Sequence, residues 1–249
     1  MKSELSKKSN RETGCFVCTL LIVLLLIAVV TTISVTLGAI HVSPDEIVKI
    51  LANKTSGKDI FAVSWEQKTE NIIWNIRFPR VIMAFIVGAG LSLCGVLMQA
   101  LTKNPLADPY VLGISSGAKL VVAMTMIICL QRGVALNSAG MVIAAFAGSL
   151  IAMGFVLLIS FRVSKMSLLV VCGIMIGYIC SAITDFCVTF ADDSNIVNLH
   201  NWSLGSFSGM TWENVQMIVV IVAVGVVITF LLAKPIGAYQ MGETYARNM

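Results

Sequence analysis

"QALTKNPLADPYVLGISSGA", residues 99–118, interrupts a chain that otherwise runs in long apolar segments. It carries Lys103, Asn104, Pro105, Asp108 and Pro109, followed by Gly113, Ser115, Ser116, Gly117 and Ala118. Each proline removes a backbone donor and disfavours helix at the residue before it, so a helix arriving from Gln99 must stop near Asn104. Asn104 and Asp108 are suited to satisfy the freed backbone groups through Asx-type hydrogen bonds. The small residues that follow let the next helix press closely on its neighbours. The stretch reads as a tight cytoplasmic elbow in an all-α, polytopic membrane bundle.

Composition is what puts the elbow in a membrane protein. The 249 residues are 57% hydrophobic and 12% charged, with a mean hydropathy of +0.91, far above what a soluble domain tolerates. Apolar stretches near the ~20 residues needed to cross a bilayer are expected near 16–37, 81–101, 110–130, 139–161, 166–190 and 214–233. Residues 1–15 then form a basic cytoplasmic N-terminus, 16–233 a transmembrane domain, and 234–249 the start of a cytoplasmic loop. The first span follows Lys2, Lys7, Lys8 and Arg11, but its 22 uncharged residues exceed the h-region of a signal peptide, about 7–15 residues. It is read as retained.

A net charge of +4, with most Lys and Arg between spans, gives nucleic-acid binding no support. Five of the seven cysteines (Cys94, Cys129, Cys172, Cys180, Cys187) fall in spans and behave as small apolar residues. Cys15 and Cys18 form a CxxC without a second ligand pair, and His41 and His200 are the two histidines, so no metal site is expected.

The basic start predicts a cytoplasmic N-terminus in the cell (inner) membrane, and six spans return the C-terminus to the same side. Lys103, Arg162, Lys165, Lys234 and Arg247 agree with that topology, and the outer segment 191–213 holds no Lys or Arg. The outer segment 38–80 is the exception, with six basic residues against five acidic ones. Part of it predicts a surface helix: Ser43 as N-cap, Pro44 at the first position and Glu46 completing a capping box. Arg77 and Arg80 stand just before span two, where they either snorkel to lipid headgroups or dock an acidic partner from outside.

Helices in lipid associate through small residues. Gly140, Ala144, Gly148 and Ala152 repeat at four-residue spacing on span four, as do Gly173, Gly177 and Ser181 on span five and Ala84, Gly88 and Ser92 on span two. Lys119 is an intramembrane charge that needs water or a partner, for which Asp185 is a candidate. The alternative is a third span that starts after the Gly/Ser run and leaves Lys119 near the cytoplasmic surface.

At this point the residues carry a resemblance. "WNIRFPRVIMAFIVGAGLSLCGVLMQALTKNPLADPYVLGISSGA", residues 74–118, resembles the signature region of the FecCD (BtuC-like) permeases, membrane subunits of ABC importers for iron-siderophore complexes, haem and vitamin B12. "NWSLGSFSGMTWENV", residues 201–215, resembles that family's W-x-x-G-S-x-x-G-x-x-W segment, and "MGETYARNM", residues 241–249, its L-G-E-x-x-A-x-x-L-G motif. The resemblance implies a ten-span permease fold, of which about six spans lie here. The chain stops at Met249 inside the implied coupling loop and is expected to be an N-terminal portion.

The resemblance also implies site residues. Arg77 and Arg80 would pair with glutamates of an extracytoplasmic substrate-binding protein. Gly242, Glu243, Ala246 and Arg247 would begin the surface pressed into an ATPase, and Lys165, Met166 and Ser167 would form part of a cytoplasmic gate. Asn104, Pro105, Asp108 and Pro109 make the structural elbow, and Lys119 departs from the small apolar residue usual at its position. The implied assembly contains a second permease copy, two cytoplasmic ABC ATPases, the binding protein and membrane lipid, with a metal chelate as cargo.

The chain has no G-x-x-x-x-G-K-[ST] loop, so no cofactor is expected on it directly and ATP would be used by the partner. No nucleophile–base set marks it as an enzyme. Competing readings are an ion-coupled secondary transporter, for which Asp185 would be the intramembrane carboxylate, and a nonfunctional truncated fragment.

Overall fold

The protein is described by a computed structural model. It covers the chain except residues 1, 39, 41, 59, 64, 135–136, 164–165, 192, 243–245 and 247–249, and except the side chains of 2–12, 130, 166–167 and 193–195. The described residues form helices α1 Lys2–Thr36, α2 Pro44–Ser56, α3 Gln67–Ile72, α4 Phe78–Thr102, α5 Ile114–Gln131, α6 Ser138–Ser160, α7 Met166–Thr189, α8 Asp193–Leu204 and α9 Trp212–Met241. A π-helical turn, Ile73–Arg77, joins α3 to α4, and a 3-10 turn, Pro109–Leu112, precedes α5. No strand occurs among the described residues. The fold is all-α.

Contacts divide the chain into two compact units: residues 1–85 with 209–215, and residues 86–208 with 216–249. In the first, α2 forms as its sequence dictates. The Ser43 hydroxyl accepts from the Glu46 amide at 3.3 Å, Pro44 takes the first position, and Gly57 closes the helix at φ 63°. Ile47 and Ile50 lie on its inner face and pack with Val35, Val42, Trp65 and Ile73. Asn53, buried beside them, closes a two-way amide pair with Phe61, both bonds at 2.9 Å. That pair satisfies the buried Asn53 amide.

In the second unit, α5, α6 and α7 pack through the small-residue faces. A Cβ on Gly117 would lie 2.5 Å from the Ala152 Cβ, and one on Gly148 would collide with the Gly117 carbonyl oxygen. On the other side of α5, a Cβ on Gly173 would lie 2.8 Å from Leu112 Cα, and the Ser181 and Ser116 hydroxyls meet at 3.5 Å. Ala144 and Leu199 join Val122, Ala123 and Met126 in one core cluster; Met98, Leu112 and Val156 form another. The Ala84, Gly88, Ser92 face is exposed instead, with nothing near a Cβ at Gly88.

Several helix limits differ from those expected. The 1–15 segment is helical from Lys2 and continuous with the first span. The helix entering span two begins at Gln67, and α9 runs through Pro235 to Met241 rather than ending at 233. Residues 193–204 form α8 where a loop was expected.

The helix at span three starts four residues later than expected, at Ile114 rather than 110. Among the described residues five helices are long and apolar enough to cross a membrane, and α5, 18 residues from Ile114 to Gln131, is shorter than these. Leu112 and Gly113 sit against Gly173 and Gly177, about 10 and 16 Å along α7 from its start at 1.5 Å per residue. The elbow therefore lies beside α7 and takes up length that a helix from 110 would have filled. Irregular backbone is tolerated at depth when it is packed on protein.

Along α1, side chains from Phe16 to Ile33 are widely exposed, Leu25 by 65%. Apolar surface of that extent needs a hydrocarbon or protein covering.

Candidate functional site

Two places gather the residues singled out from the sequence, one in each unit. In the first unit the π-helical turn at 73–77 sets up the geometry. A π turn shifts backbone pairing by one residue, and the Trp74 carbonyl accepts from the Trp212 indole Nε1 at 3.0 Å. Trp74 stacks on Phe78, and Trp212 meets Trp74 tilted and Phe78 edge-on, with ring centroids 5.0–5.8 Å apart. This contact fastens the segment 209–215 to the start of α4.

The same turn delivers Arg77, and it points inward. Arg77 is 9% exposed. Its Nη1 donates to the Val35 carbonyl at 2.6 Å and the Thr36 carbonyl at 3.1 Å, and its Nη2 donates to the Ile40 carbonyl. These are carbonyls at and beyond the end of α1, where the helix leaves acceptors without amide partners and the macrodipole favours a cation. A Cβ at position 38 would stand 2.6 Å from Nη2, so a larger residue there would have to displace the guanidinium.

The two arginines expected to act as an outward pair thus differ. Arg77 closes α1 onto α4, and its guanidinium is occupied. Arg80 is partly exposed, its Nε is buried without a hydrogen-bond partner among the described residues, and it lines a cavity of about 370 Å³ with Ser34, Leu37, Ile72 and Ile76.

Nearby, Glu70 accepts from Lys54 at 2.7 Å and from the Trp65 indole at 3.0 Å. The Lys54 hydrogen bond, then the Trp65 one, hold its carboxyl below the usual range. Trp65, Lys54 and Glu70 together fix the loop between α2 and α3.

The elbow occupies the second unit. α4 ends at Thr102, and the Asn104 amide donates back to the Gln99 carbonyl at 3.3 Å. Asn104 Oδ1 then accepts from the Leu106 amide at 3.0 Å, and Asp108 Oδ1 from the Tyr110 amide at 2.8 Å. Pro109 opens the 3-10 turn and Gly113 closes it at φ 72°. The Asx chemistry read from Asn104 and Asp108 is therefore present. Leu106 is 88% exposed at the tip.

Lys119 sits in the second turn of α5, half-buried. The helix includes the Gly/Ser run. By the Ser116–Ser181 contact Lys119 stands at a level similar to Asp185, yet among the described residues the ion pairs are Lys49–Asp45 and Lys54–Glu70.

At the end of α9, the Gly242 amide donates to the Tyr239 carbonyl at 3.2 Å, Gly242 adopts φ 143°, and the Ala246 amide donates to the Gly242 carbonyl at 3.0 Å. Tyr239 also brings its ring under Lys103 Nζ, 5.3 Å from the centroid. Glu243, Arg247 and Lys165 lie outside the described residues, and Met166 and Ser167 are described only as the first residues of α7. Sequence reasoning missed Gly38, the Trp74–Trp212 contact and Tyr239. Both tryptophans lay in quoted motif blocks, so their recurrence beside Arg77 was the available signal.

Comparison with known proteins places this geometry. The profile of the FecCD transport family matches residues 24–249. Vitamin B12 import system permease proteins BtuC of Salmonella newport (strain SL254) and Salmonella typhi are 33% identical over 180 residues, 72% of this chain and 54% of theirs. The chain thus spans about half the length of the curated relatives it matches. A solved structure described as an inward-facing ABC transporter assigned to the metal-chelate type superposes with a TM-score of 0.73 at 22% identity, covering 92% of this chain and 67% of that one. That likeness shows the same fold. With its elbow, its glycine-packed α5–α7 core and a family match from residue 24 to residue 249, this chain belongs to the FecCD transport family.

Proposed function

We propose that the chain is a permease subunit of an ATP-binding-cassette importer, forming with a second permease copy a pathway for a metal chelate. Family membership across residues 24–249 carries this reading. Transport rather than catalysis is its role; ATP is hydrolysed by two cytoplasmic ATPase partners, and a binding protein delivers cargo at the outer face.

In this mechanism ATP binding closes the ATPase dimer and moves the segment that begins at Gly242, with Glu243, Ala246 and Arg247 on the contacting surface. The membrane helices then exchange outward and inward openings. Lys165, Met166 and Ser167 belong to the gate at the entrance to α7. Docking of the binding protein falls chiefly to Arg80, which is partly exposed, while Arg77 holds the platform from which it acts.

The cargo is proposed to be an iron-siderophore-type chelate. Cobalamin is the second reading, favoured by the likeness to the Salmonella vitamin B12 import system permeases. Both are bulky metal complexes. The test is co-purification of the full chain with its ATPase, followed by binding-protein capture. Stable assembly with Arg80→Glu weakening capture at least tenfold is expected. No assembly, or undiminished capture, would refute the respective part.

A further inference from the structure

Among the described residues, Lys103 is the non-glycine residue with positive φ, at 52°. It follows the last residue of α4, and the Asn104 amide reaches back to Gln99, the arrangement of a Schellman cap. Glycine normally occupies that position because a side chain there is strained. A lysine kept in a strained conformation needs a compensating contact. Its ammonium stands over the Tyr239 ring at 5.3 Å, within cation–π range.

Tyr239 is itself a junction. Its carbonyl receives the Gly242 amide, which turns the chain out of α9, so ring and carbonyl of one residue hold the elbow and the departing segment. α4 and α9 also touch higher up, where a Cβ on Gly90 would lie 3.4 Å from Val222. The two helices therefore run side by side and end together.

We infer that Lys103 and Tyr239 form a latch that passes movement of the segment beginning at Gly242 to the elbow at 104–113. Lys103 and Tyr239 are positioning residues, and the relay rests on the importer reading above. When the segment turns, the Tyr239 ring turns with it and carries the ammonium, and with it the elbow's first residue.

The test has two arms. In the purified full chain, hydrogen–deuterium exchange of the amides between 104 and 113 is compared for Lys103→Gly, Tyr239→Leu, the double variant, and the conservative Lys103→Arg and Tyr239→Phe. Lys103→Gly relieves backbone strain while removing the cation, so a merely structural cap would exchange no faster. The latch predicts exchange about two- to fivefold faster in Tyr239→Leu, the range of an exposed cation–π contact, and no added effect of Tyr239→Leu in the Lys103→Gly background, where the cation is already gone. Unchanged exchange would overturn the latch.

In the second arm, the assembled complex is assayed for cargo moved per ATP hydrolysed. Tyr239→Leu and Lys103→Gly are expected to lower that ratio while Tyr239→Phe and Lys103→Arg preserve it. Faster exchange with an unaltered ratio would overturn the relay. A wild-type complex that moves no cargo would overturn the importer reading, and the relay with it, while the exchange arm still decides the contact.

Discussion

Replacing Arg77 by methionine removes the cation that closes the end of α1 while keeping a flexible apolar stem. The guanidinium makes hydrogen bonds to the Val35, Thr36 and Ile40 carbonyls. A hydrogen bond from a charged donor contributes about 1.5–3 kcal/mol. Three at the low end give ~4.5 kcal/mol, from which the relief of desolvating a buried guanidinium is subtracted; about 3 kcal/mol remains. For a chain of this size that lowers the melting temperature by roughly 6–12 °C, at 2–4 °C per kcal/mol.

The assay is thermal unfolding in detergent, followed by tryptophan fluorescence, since Trp74 and Trp212 stand beside the site. Arg77→Lys should fall between, because an ammonium reaches some carbonyls but lacks the planar fork. Arg80→Met, which removes an Nε without an acceptor among the described residues, should shift melting by less than 2 °C. Unaltered melting of Arg77→Met together with a lowered Arg80→Met would refute the assignment of Arg77 to the end of α1.

Other expectations follow from single contacts. Gly38→Ala forces a Cβ against the pinned guanidinium, so it should lower melting in the wild type and do little more in Arg77→Met; a differential melting series reads the non-additivity. Gly148→Val overfills the α5–α6 contact and should cost about 1–3 kcal/mol, read as loss of the folded fraction in a detergent unfolding titration. Asp108→Ala removes the acceptor for the Tyr110 amide and should cost ~1 kcal/mol, visible as faster amide exchange at the elbow. Because the folded-state Glu70 carboxyl titrates below its ordinary value, its stabilisation is present above about pH 4.3 and is lost as pH falls through the folded value. Proteolysis of the α2–α3 loop should therefore rise on acidification in the wild type, and Glu70→Gln should flatten that response.

Local chemistry was legible wherever a residue acts on its near neighbours. Ser43, Pro44 and Glu46 announced α2, Asn104 and Asp108 announced the elbow's hydrogen bonds, and the four-residue spacing of Gly148 with Ala152 announced a packing face. What depends on distant partners was not legible. Arg77 reads as a surface charge until a helix end 41 residues earlier is brought beside it. The shortening of α5 follows from the elbow's position beside Gly173 and Gly177, which no periodicity in 110–130 reveals. α8 was hidden because its polar sequence resembles a loop, and Leu199, 5% exposed, becomes a core residue only against α5. The exposed Ala84, Gly88, Ser92 face carries the same spacing as the buried ones, so spacing alone does not say which face is covered.

The most direct test of the account is cargo uptake into sealed vesicles that hold the permease with its ATPase and are presented with loaded binding protein. Ferric siderophore and cobalamin serve as separate probes. Accumulation of one of them that requires both the binding protein and hydrolysable ATP is expected. Uptake that persists without ATP in vesicles energised by an ion gradient would contradict it.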